Sequence, residues 1–351
     1  MSFPCQLLSQ LTGLEAVAAI HLLQPLWGDY GGLYRITPEG GHASLVAKWI
    51  VPPPAAQGYG HKRKLRSYRV EVNWYRGFAN DGDNDCRIPR FIGCGDGDAG
   101  TLMVMEDLAA AGFRPMSRSQ GEAHLGALVE WLAAFHARHM GRSPTGLWET
   151  GCYWHLATRP DEWRAMPAGP LKAAAEAIDA ELAAAEHQTL VHGDAKLANF
   201  LADDRGQVGA VDFQYVGRGP GVRDLVYLLG SVLDDQQLAR SSFFWLDHYC
   251  QRLAHLLGEG GWSRPRLASL TREQYQLFPF AWADFERFLI GWKPGHWKLG
   301  RFSEAMTQRA LAQIAQKGPS GPSAPSPPRP SQPRSSARAA SRAALTTSRL
   351  V

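Results

Sequence analysis

Apolar residues in the first hundred positions come mostly in short runs broken by glycine, proline and charge. Residues 11–23 read as a short helix, and "WGDYGGLYRI" reads as a Gly-rich turn. "ASLVAKWIV", from Ala43 to Val51, is strand-like, whereas "PPPAAQGYG" suits neither helix nor strand and reads as a loop. In "HKRKLRSYRVEVNWYRGFA" the apolar residues Val70, Trp74 and Phe78 recur every four positions, which predicts a helix with Ser67 as its N-cap. "RIPRFIGC" and "TLMVMEDL" are two further strand candidates.

Past residue 108 the period lengthens. "GEAHLGALVEWLAAFHARHM" places Leu125, Leu128, Leu132 and Phe135 on one helical face. "PLKAAAEAIDAELAAAEH" is helical by propensity, "QVGAVDF" is a strand, "VRDLVYLLGSVL" is a helix, and residues 235–316 hold more helices. A small strand-rich region, 1–107, is thus followed by a mostly helical one, 108–316, for an α+β class. From Lys317 the composition turns to Pro, Ser, Ala and Arg with almost no large apolar residue, so 317–351 reads as a disordered basic tail.

Composition adds bounds. The chain has 351 residues, 45% of them hydrophobic, enough for a sizeable core. Its formal charge of +4 is uneven: six Lys and Arg and no Asp or Glu lie in 317–351, so residues 1–316 are left at −2. A basic balance made by a tail is weak evidence for a nucleic-acid-binding face, and no nucleic-acid partner is expected. The five cysteines form no C-x-x-C and sit at no zinc spacing, which fits reduced thiols in the cytoplasm. The N-terminus has no basic start and no long apolar run, so neither a signal peptide nor a membrane span is expected.

The chemistry concentrates in "LVHGDAKLANFLADD", Leu190 to Asp204. "NFLA" and "QVGAVDF" read as two strands joined by the turn "DDRG", a hairpin that returns Asp212 to the side of Asn199. Two oxygen donors there suit Mg²⁺, a hard cation that keeps water and phosphate among its ligands. Asp194 is left to accept a proton from an incoming hydroxyl. A catalytic Asp, an Asn five residues on and a metal-binding Asp on the next strand form the arrangement of protein-kinase-like phosphotransferases. That arrangement needs a strand Lys and a helix Glu upstream. Lys48 and Glu71 stand in that order; the plain alternative for Glu71 is an exposed carboxylate paired with Arg69 or Arg76. "LMVMEDL" then leads into a hinge whose backbone, from Glu106 to Leu108, would face an adenine edge.

On these motifs, residues 25–310 resemble the aminoglycoside phosphotransferase/choline kinase superfamily. "VHGDAKLANF", "VDFQYVGRGPGVRDLVYLL" and "RKLRSYRVEVNWY" look most like its ecdysteroid-kinase-like (CHK kinase-like) branch. The resemblance implies a bilobal protein-kinase-like fold with ATP and Mg²⁺ between the lobes and a small-molecule alcohol as acceptor. It implies Asp194 as base, Asn199 and Asp212 as metal ligands, Lys48 as the phosphate-binding lysine and Glu71 as its partner. Lys196 either reaches the γ-phosphate or is a solvated lysine. His192 is a brace for the loop, and Asp224 braces the loop's backbone N–H groups. The metal Asp is followed by Phe-Gln rather than Phe-Gly, Gly193 replaces the usual Arg, and no A-P-E element follows, so no protein substrate is expected. An acceptor pocket is sought among Trp282, Asp284, Glu286, Trp292, His296 and Trp297, where aromatics and carboxylates would suit a choline-like cation, aromatics alone a sterol-like alcohol, and where tryptophans are also simply core. A nucleotide-binding pseudokinase or adaptor and a true aminoglycoside kinase are the competing readings.

Overall fold

A computed structural model describes residues 3–79 and 84–317. The chain opens with α1 (Cys5–Thr12), which ends where Gly13 takes a left-handed φ of 72° and donates its N–H to Ser9 O. Then come β1 (Val17–Pro25), β2 (Gly31–Pro38), β3 (Leu45–Ile50), α2 (Gly58–Gly77), β4 (Phe91–Gly97) and β5 (Gly100–Glu106). The five strands form one antiparallel sheet in the order β1-β2-β3-β5-β4. Lys48 lies in the middle strand, opposite Leu33 on one side and Met103 on the other.

Three expectations are corrected. Residues 17–25 are an edge strand paired with β2, not the end of a helix: Gly13 stops the helix early, and ladder pairing outweighs the helical preference of the alanines and leucines. α2 begins at Gly58, inside the expected loop, with Gln57 as its N-cap residue. Ser67 is therefore mid-helix and buried; its hydroxyl bonds Lys64 O at 2.8 Å and Gln214 Oε1 at 3.2 Å instead of capping. The Gly-rich turn is a hairpin tip between β1 and β2, where Leu26 N–H donates to Gly31 O and Asp29 faces solvent.

The second half continues with β6 (Arg114–Pro115), α3 (Arg118–Ala123), α4 (Leu125–His139), α5 (Pro160–Ala165), α6 (Pro170–Ala173) and α7 (Ala175–Ala183). β7 (Thr189–Val191), β8 (Phe200–Ala202), β9 (Val208–Ala210) and β10 (Gly217–Gly219) are short, and α8 (Val222–Val232), α9 (Asp235–Glu259), α10 (Arg264–Trp292) and α11 (Arg301–Lys317) close the described chain. β8 and β9 form the expected hairpin, Phe200 opposite Ala210, turned by Asp203–Gly206. Leu125, Leu128, Leu132 and Phe135 are all buried on one face of α4. The result is a mixed α+β fold with a strand-rich antiparallel N-lobe and a helical C-lobe.

The cores are less simply divided. Leu8, Ile36, Ala47, Trp49, Leu102 and Val104 pack among themselves under the sheet. Val70, Trp74 and Tyr75 of α2 and Met103 and Met105 of β5 belong instead to the large core that runs through the helices. Residues 1–2, 80–83 and the 318–351 stretch of the expected tail lie outside the described residues. No described helix is long and apolar enough to cross a membrane.

Candidate active site

The loop after β7 is held from two sides. Asp224, in the first turn of α8 and buried, accepts from the N–H of His192 at 2.5 Å and of Gly193 at 2.9 Å, and pairs with His136 Nε2 at 3.1 Å. Gly193 has a φ of 77°, and a Cβ there would lie 2.1 Å from Tyr215 O, so no side chain fits. His192 accepts from Asp194 N–H at Nδ1 (3.3 Å) and meets Val211 O at Nε2 (3.0 Å). Both ring nitrogens are thus engaged with the backbone, as a brace requires.

This pins Asp194 at the head of the loop. Its Oδ2 accepts from Lys196 Nζ at 2.7 Å and from Asn199 Nδ2 at 3.0 Å. Its Oδ1 is buried and has no hydrogen-bond partner among the described residues. The Tyr227 hydroxyl lies close enough to act on this carboxylate, and a ligand hydroxyl could complete it. Burial raises the Asp194 carboxyl above the usual range; Lys196 pulls the other way and Asp212 adds to the rise. Both effects make it a better proton acceptor than a surface Asp.

Asn199 spends its amide nitrogen on Asp194 O (2.8 Å) and Oδ2, which turns its carbonyl oxygen away from that residue. The backbone bond Val211 N–H to Asn199 O, 2.9 Å, closes the hairpin and brings Asp212 alongside. Asp212 has a left-handed φ of 68°, uncommon for a residue with a side chain and a mark of strain held in place for use. Burial opposes its charge, but Lys48, Lys196 and His192 outweigh that and keep its carboxyl below the ordinary value. Among the described residues no three His, Cys, Asp or Glu side chains form a metal cage. A carboxylate and an amide oxygen alone fit a magnesium ion that takes its other ligands from phosphate and water.

Across from this hairpin, β3 supplies Lys48 and α2 supplies Glu71, both buried. Lys48 Nζ lies 2.8 and 2.6 Å from the two Glu71 oxygens and 3.4 Å from Asp212 Oδ1. Burial disfavours the ammonium, but the two carboxylates more than offset it and raise Lys48 above its ordinary value. Burial raises Glu71 against the pull of Lys48. One ammonium thus joins a strand, a helix and the second residue past β9, and the exposed alternative for Glu71 is ruled out by its burial.

The hinge residues are nearby in sequence but differently employed. Glu106 directs its side chain to Arg87 Nη2 and to Arg90 N–H, the latter at 3.0 Å. Leu108 O already accepts from the N–H of Ala111 and Phe113. The Leu108 carbonyl is therefore committed, as is the Glu106 N–H, which donates to Arg90 O at 2.9 Å, so any adenine contact would fall to the Leu108 amide or the Glu106 carbonyl. The acceptor candidates scatter: Trp282 is core, Asp284 is buried and bound to Arg287 at 2.7 Å and Trp154 Nε1 at 3.1 Å, and Trp292 and Trp297 are exposed. Sequence reasoning missed Tyr227 and Lys298, which stand near Asp194. No motif marks either; their nearness comes from how α8 and the segment after α10 pack.

Among curated protein sequences none matches the chain. Among solved structures, choline kinase LicA from Streptococcus pneumoniae is similar over 90% of this chain and 100% of its own, at 14% identity and a TM-score of 0.50. A fructosamine-3-kinase-like protein from Haemophilus somnus (14% identity, 88% and 95% covered, TM-score 0.47) and the aminoglycoside phosphotransferase APH(4)-Ia with ADP and hygromycin B (15%, 90% and 99%, 0.45) are more distant. The LicA likeness carries the fold. Residues 24–268, which include Lys48, Glu71, Asp194, Asn199 and Asp212, match the phosphotransferase enzyme family model, and the chain belongs to that family.

Proposed function

We propose that this phosphotransferase moves the γ-phosphate of ATP, with Mg²⁺, to a hydroxyl of a small molecule. The observation that carries the reading is Lys48 shared between Glu71 and Asp212, with Asp194 close enough to Asp212 to feel its charge. Lys48, positioned by Glu71, holds the α and β phosphates. Asp212 and Asn199 hold the metal. Mg·ATP supplies the transferable phosphoryl group and part of the charge neutralisation. Asp194 Oδ1 accepts the hydrogen bond of the acceptor hydroxyl, orients it in line, and takes its proton as transfer completes. Lys196, held by Asp194 at 2.7 Å, stands where developing charge on the transferred group needs a cation. The hinge from Glu106 to Leu108 receives the adenine.

The complete set argues against a pseudokinase or adaptor. The motifs quoted above support the ecdysteroid-kinase-like branch, and the change from sheet to helices near residue 107 supports a lobe boundary there. Five free cysteines suit a cytoplasmic home. Asp194→Asn should lower turnover by about 10²–10⁴-fold, the usual worth of a general base, and leave Mg·ATP binding intact. Asp212→Ala should weaken metal-dependent nucleotide binding itself. A panel of small alcohols, read for ATP-dependent gain of one phosphoryl group, supplies the substrate for the assay. Wild-type turnover by Asp194→Asn would remove the carboxylate from the mechanism.

A further inference from the structure

The face of the C-lobe beside Asp194 carries a cation with no carboxylate at ion-pair distance among the described residues. Tyr227 of α8 lies next to Asp194 and rests on Trp154 (ring centroids 4.7 Å) and Phe285 (5.1 Å). Lys298, on the segment between α10 and α11, lays its ammonium 4.8 Å from the Tyr227 ring, 5.6 Å from Phe285 and 5.5 Å from Trp297. Asp194 and Lys196 are both close enough to act on its charge, so these groups share one site.

The neighbouring cations are all committed. Lys196 is paired with Asp194 at 2.7 Å. Arg118, over the same Trp297 ring at 5.2 Å, lies 3.8 Å from Glu122 and donates to Val232 O at 2.7 Å. Lys298 alone of the three has no carboxylate at ion-pair distance among the described residues. Of the carboxylates that could welcome a cationic acceptor, Asp284 is held by Arg287, while Glu286 lies beside Ser303 and Thr307 with its Oε2 buried and without a hydrogen-bond partner among the described residues. Burial and the Lys196 charge lower the Lys298 ammonium to about 8, as expected of a cation short of anions. Aromatic faces hold such a group in place but leave it open to a stronger partner.

We propose that Lys298 selects the acceptor, and that the acceptor is an alcohol carrying its own negative charge, a carboxylate or a phosphate, not an amino alcohol. The inference rests on reading this cleft as the phosphotransferase site. The Lys298 ammonium takes the anionic group while Asp194 takes the hydroxyl. A choline-like or aminoglycoside acceptor would bring like charge against Lys298 and Lys196.

Four six-carbon polyhydroxy chains test this: gluconate, sorbitol 6-phosphate, sorbitol and glucamine. Their affinity for the enzyme saturated with Mg·AMP-PNP is measured by calorimetry, and ADP release is followed in parallel with Mg·ATP. At least one anionic chain should bind roughly tenfold or more tighter than sorbitol, with glucamine weakest, the scale of one charge-assisted hydrogen bond. The anion that binds identifies carboxylate or phosphate as the group. Lys298→Met should erase the preference, and Lys298→Arg should keep it. Glucamine binding as well as the anions, failure of both anions to bind, or a preference unchanged in Lys298→Met overturns the proposal. Equal weakening of all four chains in Lys298→Met also overturns it, because the lysine then serves the nucleotide. Charge ordering without ADP release from any chain counts against the phosphotransferase reading and not against this one.

Discussion

His139 ends α4 and is buried, with its Nδ1 lacking any hydrogen-bond partner among the described residues. Its ring lies 5.2 Å from Trp74 and 4.9 Å from Phe135, and Trp74 in turn stacks on Phe213 at 4.9 Å, the residue after Asp212. Burial, then the charges of Arg142 and Arg138, lower the imidazole from 6.5 to about 3. The unfolded chain, with an ordinary histidine near 6.5, therefore binds a proton that the folded one refuses. Stability from this residue is whole above pH 6.5, falls as pH drops below it, and is exhausted near the folded value. Between pH 7 and pH 5 the loss is about 2 kcal/mol, set almost wholly by the unfolded value because the folded group stays neutral throughout. Against a typical total of about 5–15 kcal/mol this is a visible share. Phe in place of His139 keeps the aromatic contacts, abandons no hydrogen bond at Nδ1 and removes the proton linkage. Urea unfolding followed by tryptophan fluorescence, at pH 7 and pH 5, measures it. The variant should lose about 2 kcal/mol less than the wild type over that interval, every other titrating group cancelling in the comparison. Equal losses in the two proteins would refute the assignment of a neutral, proton-refusing His139.

Asp224→Ala strands two buried backbone N–H groups at about 1–3 kcal/mol each, so a clear fall in melting temperature should accompany loss of turnover. Gly193→Ala forces a Cβ against Tyr215 O; a displacement of about 1 Å at Asp194 is expected to cost about 10²-fold in kcat, with a smaller effect on nucleotide binding measured by calorimetry. Lys48→Met leaves Glu71 buried and uncompensated, at about 3–5 kcal/mol, and adding Glu71→Gln should recover much of that in a denaturation double-mutant cycle. Recovery below about 0.5 kcal/mol would mean that the pair is not coupled.

Much of the site could be read from the sequence because it is local. Asp194, Asn199 and Asp212 span a single loop and hairpin, and the turn "DDRG" suffices to bring them together. Lys48 and Glu71 were legible for another reason: a lysine in an apolar strand demands a carboxylate, and the next helix offered one. Where partners were distant the signal failed. Nothing near Ser67 shows that α2 starts at Gly58, and nothing in residues 17–25 shows that β2 will pair with them. Gly193 was visible as a departure from an expected arginine, but its cause is a carbonyl twenty-two positions later, at Tyr215. Lys298 lacks any motif, since what distinguishes it is that folding places aromatic rings, and among the described residues no carboxylate at ion-pair distance, around its ammonium.

The anchoring of α2 limits how this enzyme can be governed. Along one helix, Arg63 donates to Thr158 O, Ser67 meets Gln214, Asn73 donates to Gly146 O, and Trp74 stacks on Phe213. Glu71 sits in the middle of that row, so the helix that engages Lys48 is bolted to the catalytic half of the molecule. Swinging it outward would tear each of these contacts and open the large core at Val70 and Tyr75. The machine thus has no easy neutral gear: releasing the lysine clamp by moving the helix would cost every one of these contacts at once.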